Sequence, residues 1–350
     1  MEKALKVQTT NWISAFVLSF LLFSCSFSHR NKKVPQQATN KGVPSDVIPS
    51  LMEWNITLGN GATIHNLTGY SHQDFFYMEH DGEDWVVFKT PNSGSTTPNS
   101  SNTRTELRHK ADWTVETGGH MSASVRVQHV SISGDPRVAA SFSVVVGQIH
   151  SGEGHKNEPL KIFYKNFPNH NKGSLFWNYE INTDGNNSGR WDFSTPVWGH
   201  DMSVVSHSID EIPEEPIDGI ALGEEFSYKI NVVKGEMHLT FSREGHLDQT
   251  FVKDLTRSDF STTEERPEQV KRLYANLNRN GLERPEAYSG ELQFFKLGAY
   301  NQTNGKNPLD NMVWSTGAAT FAGDIDKQYQ NGSYTEVWFK EVSVSITEKP

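Results

Sequence analysis

The chain has 350 residues, with 42 acidic against 32 basic side chains and a formal net charge of −10. That length allows one large all-β domain or two smaller domains, and the acidic balance argues against nonspecific nucleic-acid binding. An anionic partner would have to be met by a local positive groove in an acidic protein.

Residues 1–24 read as a signal peptide. Lys3 and Lys6 give a positive start, and Ile13 to Phe23 form an apolar run too short to span a bilayer comfortably. The run ends at Leu22-Phe23-Ser24-Cys25, which resembles a bacterial lipobox, with Phe23 a less usual occupant. Cys25 is the only cysteine in the chain. An exported lone thiol has no disulfide partner, so lipidation of Cys25 is the expectation, set against an ordinary secretory leader cleaved nearby. Residues 25–45 then serve as lipid attachment and polar tether. The folded domain is expected over 46–350, and the protein as an exported lipoprotein at the outer membrane or cell surface, touching the membrane only through that anchor.

From Trp54 onward, short strands and polar turns dominate. Trp54–Leu58, Asp84–Lys89, Met121–Val130, Ala139–His150, Leu160–Lys165 and Leu175–Asn182 read as strands. Phe226–Val233 and Met237–Arg243 read as a hairpin around Lys234-Gly235-Glu236. Tyr334–Thr347 alternates imperfectly through Val337, Phe339, Val342, Val344 and Ile346. Many short alternating strands indicate an all-β antiparallel sandwich. Residues 207–225 are acidic and proline-bearing and read as a solvated loop. Residues 264–281 read as a helix, with Val270, Leu273, Tyr274 and Leu277 at helical spacing. Lys161 and Lys165 share a strand face and are expected to be solvated or to touch a polyanion.

Three stretches concentrate polar side chains on one strand face. In Arg104-Thr105-Glu106-Leu107-Arg108, the charged residues point one way and Thr105 and Leu107 the other. In Val144 to His150, Gln148 and His150 share a face opposed by Ile149. In Phe294-Phe295-Lys296-Leu297-Gly298-Ala299-Tyr300-Asn301-Gln302, Lys296 and Tyr300 share a face with Gly298 between them. A glycine there is expected to let a bulky group approach the backbone. A cation and a phenol on an open sheet face suggest an anion site.

Together these stretches resemble the three motifs of polysaccharide lyase family 7, the alginate lyases: R-[ST]-E-[LV]-R, then Q-[IV]-H, then a strand close to Y-F-K-x-G-x-Y-x-Q. Order and register match, with Phe294 standing where a tyrosine is common. The resemblance spans roughly residues 45 to 350. It implies a jelly roll whose concave sheet binds alginate or a related anionic polysaccharide, and a monomeric enzyme needing no cofactor or metal. It implies Arg104, Gln148, His150 and Tyr300 as catalytic residues, Tyr300 as the acid, and Tyr300 or His150 as the base depending on the sugar epimer. It places Glu106, Arg108, Lys296 and Gln302 in substrate binding, with Glu106 orienting the two arginines. Ile149 in Gln-Ile-His leans toward guluronate-containing substrates.

The residue types suit that chemistry. A uronate C5 proton is weakly acidic beside a charged carboxylate, and donors that neutralise the carboxylate stabilise the developing enolate-like charge. A non-catalytic carbohydrate-binding module would show aromatic platforms without an acid–base pair. A glycoside hydrolase needs two carboxylates across a cleft, and no E-x-D-x-E-type strand is present. A lyase for another polyuronate shares the same logic. His150 and His155 flank Ser-Gly-Glu-Gly, but that spacing matches no strong metal pattern and reads as a loop beside the site.

Overall fold

Alternating apolar and polar residues give strands that bury one face, and two such sheets bury their apolar faces against each other. The chain follows that rule. The structure is a computed structural model that describes residues 42–346, apart from 94–96, 98, 99, 101, 185–188, 260–280 and 304–319. Cys25, its leader, the tether up to residue 41 and all but the last residue of the expected 264–281 helix lie outside the described residues. Lys41–Pro350 forms one compact unit.

In chain order the strands are β1 (Trp54–Thr57), β2 (Thr63–Ile64), β3 (Phe76–Asp81), β4 (Glu83–Pro91), β5 (Arg104–His109), β6 (Trp113–Thr114), β7 (Gly119–His129), β8 (Ser143–Ser151) and β9 (Leu160–Lys165). There follow β10 (Lys172–Glu180), β11 (Asp192–Trp198), β12 (Ile220–Ala221), β13 (Glu225–Val233), β14 (Glu236–Arg243), β15 (Gln249–Asp254), β16 (Leu292–Asn301) and β17 (Tyr334–Ile346). Among the described residues one sheet runs β11-β10-β9-β8-β16-β5-β1-β2, with β12 on β10 and β6 on β16. The other runs β15-β14-β13-β7-β17-β4-β3. The strand pairs are antiparallel throughout. The all-β antiparallel sandwich expected from the strand pattern is therefore the observed architecture.

The core lies between the sheets. Phe295, Leu297 and Ala299 of β16 are fully buried, and Phe295 packs on Trp113 with ring centroids 4.9 Å apart. From the other sheet, Thr90 donates to the Ala299 carbonyl at 2.8 Å and Tyr228 to the Val146 carbonyl at 3.2 Å. Each fully buried large apolar side chain contributes about 1.5–3 kcal/mol, so the apolar half of the alternation fixes which residues face outward. The hairpin signal holds with a tighter turn: Lys234 and Gly235 both have positive φ, 51° and 88°. That is the two-residue geometry matching strand twist.

Several expectations need correction. Ala139–Phe142 is not strand: Ser141 closes a turn on the Val138 carbonyl and Phe142 sits at φ 60°. The broken alternation in β17 has a cause, since Glu341 at φ 53° accompanies a register shift between Lys340 and Ser343. Lys161 and Lys165 are not solvated, and protein partners rather than a polyanion occupy their ammonium groups. Lys161 pairs with Glu158 and Glu180. Lys165 donates to the Ala139 and Val204 carbonyls, and burial pushes its ammonium down to about 7 against the pull of Asp201.

Gly298 also plays a different part. It lies where β16 shifts register against β8 between Leu297 and Tyr300, and its φ is +146°. A Cβ there would meet the Thr105 carbonyl oxygen at 2.5 Å, Glu106 Cα at 2.8 Å and Phe88 Cδ1 at 3.1 Å. The glycine permits close packing of β16 on β5 and on the core, rather than the approach of a ligand. Gly298→Ala should cost roughly 1–3 kcal/mol and should also lower activity, because Tyr300 lies two residues on. Chemical denaturation with a parallel rate assay checks this, and an unchanged midpoint would contradict it.

Candidate active site

Strand pairing brings the three motifs side by side. Lys296 stands opposite Arg108, Gly298 opposite Glu106, and Tyr300 opposite Arg104. On the other flank of β16, Lys296 stands opposite Gln148 and Phe294 opposite His150. Three adjacent strands, β5, β16 and β8, thus carry every residue expected in catalysis or substrate binding except Gln302, which follows the end of β16.

Glu106 is the hub. Its side chain is buried and its carboxylate accepts from Gln148 Nε2, Lys296 Nζ and Arg104 Nη1, the last at 3.1 Å. Burial alone would raise the carboxyl; Lys296 and Arg104 outweigh it and hold it below the ordinary range. Lys296 is pulled both ways: burial and then Arg104 push its ammonium down to about 8, against the upward pull of Glu106. Gln148 is fully buried; its amide donates to Glu106, and its Oε1 has no partner among the described residues.

Arg104 reaches further. Its guanidinium lies 3.9 Å from the Tyr300 ring centroid, and its Nη2 donates to Ser100 Oγ at 2.7 Å. Ser100 Oγ is in turn 3.3 Å from the Tyr300 hydroxyl. One serine therefore ties the arginine to the phenol. No local pattern in the sequence singled out Ser100.

Arg108 behaves differently from Arg104. It donates to Asp112 at 2.6 Å and to the His109 and Lys110 carbonyls, and it lies 4.1 Å from the Phe294 ring centroid. Glu106 therefore orients Arg104 and Lys296 but not Arg108. Phe294 also stacks on His150, with centroids 5.1 Å apart and planes 13° off parallel. Gln302 is buried, and its amide donates to the Tyr300 carbonyl at 3.3 Å. Ile149 is fully buried on the core side, so it reaches a sugar only through its neighbours.

The sequence profile of the alginate lyase family matches residues 50–346. The chain belongs to that family. A curated alginate lyase of Klebsiella pneumoniae is 28% identical over 273 residues, 69% of this chain and 76% of the relative. The crystal structure of AlyA5, an exolytic family 7 alginate lyase from Zobellia galactanivorans, superposes with a TM-score of 0.85 at 63% identity, covering 88% of this chain and 99% of that one. The Klebsiella pneumoniae alginate lyase structure superposes with a TM-score of 0.60 at 22% identity, covering 87% and 98%, and shares the jelly-roll fold. The lyase reading of the three motifs therefore stands, and so does the jelly roll.

His150 of this lyase has both ring nitrogens engaged. Nδ1 lies 2.8 Å from the Ser151 carbonyl oxygen and Nε2 lies 3.1 Å from Glu158 Oε1. Glu158 was missed in the sequence. It precedes β9 and belongs to a charged group with Lys161, Arg190 and Glu180. Burial opposes its ionisation, but Lys161 and His150 outweigh this and hold its carboxyl well below the usual range. Burial and the neighbouring Glu158 charge push Glu180 upward.

His155, beyond the turn after β8, pairs with Glu291 at 2.9 Å and lies 3.1 Å from Arg284 Nη1. It is tied to the segment before β16 rather than to His150. Among the described residues, no group of three His, Cys, Asp or Glu side chains is placed to share a metal ion.

Removing one partner of a buried ion pair costs roughly 3–5 kcal/mol, because the other charge is left uncompensated. Glu106→Gln should therefore lower unfolding free energy by about that amount and lower activity with it. Denaturant titration reads the first. A variant as stable as the parent would show that Glu106 does not organise the cluster.

Proposed function

We propose that this lyase cleaves 4-linked uronate chains of alginate by β-elimination on the β5–β16–β8 face. One observation carries the assignment of roles: the Tyr300 hydroxyl shares that face with Arg104, Gln148, His150 and Lys296, linked to Arg104 through Ser100. Arg104, Gln148 and His150 bind the carboxylate of the reacting sugar and stabilise the charge that develops on it. Gln148 keeps one amide N–H beyond the one given to Glu106. Lys296, Arg108 and Gln302 act on neighbouring parts of the chain, and Glu106 holds Arg104 and Lys296 in place.

The C5 proton passes to Tyr300 or His150, the groups on this face able to accept one. Its bonding electrons form the C4–C5 double bond, the C4–O bond breaks, and Tyr300 returns a proton to the departing oxygen. No water is added. Each cleavage yields one unsaturated non-reducing end and one reducing end.

We also propose exolytic action. The 63% identical relative is an exolytic enzyme, and the β9–β11 side of the sheet supports the same reading. Lys161, Asn178, Glu180 and Asp192 are buried there, with Asn178 against Met202 and Glu180 against Arg190. Among the described residues these polar groups are taken up by protein partners rather than turned to a chain lying past His150. The guluronate lean stays with this proposal, resting on Ile149 and its motif.

Alginate blocks of defined composition test the reaction, read by ultraviolet absorbance, reducing ends and product size. Absorbance should rise in step with reducing ends, with small products released from the start. Reducing ends without absorbance would mean hydrolysis, and a spread of long products would mean internal cleavage. Tyr300→Phe keeps the ring on which Arg104 packs and deletes the hydroxyl. General acid–base groups contribute about 100- to 10,000-fold, and the loss in kcat should lie at the upper end. A variant within a few-fold of the parent would remove Tyr300 from the mechanism.

The Leu-Phe-Ser-Cys stretch supports a lipid anchor at Cys25 and an exported, membrane-tethered enzyme. Cys25→Ser should move the protein from the membrane to the soluble fraction without changing its specific activity. A parent protein already wholly soluble would overturn the anchor.

A further inference from the structure

We propose that the outer face of the second sheet, where β7, β13 and β14 run side by side, is a non-catalytic docking site for an alginate chain, centred on Lys229. It lies behind the catalytic face and shares no residue with it.

Strand register assembles this face. One row across five strands reads Ser345, His120, Asn231, His238 and Val252, from β17 through β7, β13 and β14 to β15. The next row reads Ser343, Ser122, Lys229, Thr240 and Thr250. The residues that alternate with them, Met121, Tyr228, Ile230, Leu239 and Phe241, are buried in the core, so both rows face outward. Tyr228 reaches across the core to the Val146 carbonyl of β8. Lys229, the next residue, therefore points away from the strand that carries Gln148 and His150.

Charge is the second observation. The chain has 42 acidic side chains against 32 basic ones, yet neither row holds an acid. A cross-strand carboxylate would stabilise an exposed lysine, but Lys229 stands between Ser122 and Thr240 and makes no ion pair among the described residues. Burial and then the Lys229 charge push the His120 imidazole downward. The two basic groups thus look into one depression, lined by His120, Lys229, Asn231, Val233, His238 and Thr240. Acids stand at its margins: Glu236 lies 3.6 Å from His238, and Glu341 accepts from Ser124 at 2.7 Å.

These groups suit an anionic sugar chain. Lys229 offers an unbalanced ammonium to a carboxylate, and the serine and threonine hydroxyls, the Asn231 amide and the two imidazoles offer hydrogen bonds to sugar oxygens. Val233 and Val252, 46% and 60% exposed, offer apolar surface to sugar C–H groups. Five strands spaced about 4.8 Å apart make a track about 20 Å long, room for more than one sugar. The occupant is the polymer that the family cleaves, because the face is positive within an acidic protein and that polymer carries a carboxylate on every unit. A chain held there keeps its ends near the catalytic face and raises their local concentration. Only a chain long enough to reach both faces gains from this.

The test begins with full-length Tyr300→Phe protein, which leaves the polymer uncut, run in native gels containing long alginate. Adding Lys229→Ala should weaken retention about 2-fold and adding Lys229→Glu about 5-fold, the range of an exposed charge contact. Lys327→Glu, which makes the same charge change at another exposed lysine, should leave retention as it was. In the enzyme with Tyr300 intact, Lys229→Glu should raise KM for long alginate by a similar factor, with kcat and the KM for a trisaccharide unchanged. Unchanged retention in Lys229→Glu overturns the proposal, and so does an equal loss in Lys327→Glu. A KM that rises as much for the trisaccharide as for the polymer overturns it too, because the effect would then lie at the catalytic face. None of these results bears on whether alginate is cleaved by elimination, which the absorbance assay decides separately.

Discussion

The Glu106 carboxylate is the constraint on which the site depends. It is buried on β5 yet ionised, and an isolated buried charge is among the most costly features a protein can carry. The cost is offset only because Arg104, Lys296 and Gln148 converge on it from three adjacent strands. One internal anion thereby stands in for the substrate anion and keeps the cations of the site together when no polysaccharide is bound. Arg104 held this way lies over the Tyr300 ring, and Ser100 links the two. Arg108 lies outside the cluster, clamped to Asp112 and its own turn.

A second carboxylate, Glu158, works on the other side of β8. It too is paired with a lysine and an arginine, Lys161 and Arg190, and it faces His150 as well. The face thus has a donor-rich centre between two internal anions. Chemistry on an anionic sugar asks for that arrangement: positive groups aimed inward, with their own charge balanced from behind.

Much of this was legible in the sequence because strands advertise themselves by alternation. The order of polar and apolar residues in 104–108, 148–150 and 294–302 named the outward face of all three site strands, and the broken alternation in 334–347 foreshadowed the bulge at Glu341. Contacts made by registers between distant strands were not legible. Ser100 meets Tyr300 across 200 positions, and Glu158 meets His150 from a segment with no periodic pattern at all. Lys161 and Lys165 misled because a strand face was assumed to be wet, whereas surrounding loops and acidic partners bury it. Gly298 misled because the absence of a Cβ serves the neighbouring strand here, not the ligand.

The burial of these ion pairs also divides the effects of ionic strength. Dissolved ions screen charges in contact with solvent, with a screening length of about 8 Å at physiological strength, and act far less on pairs sealed inside the protein. The Glu106 cluster is of the sealed kind. Brine should therefore weaken the approach of a polyanion to the face while leaving the face itself assembled, so an enzyme slowed by salt would regain its full rate on dilution.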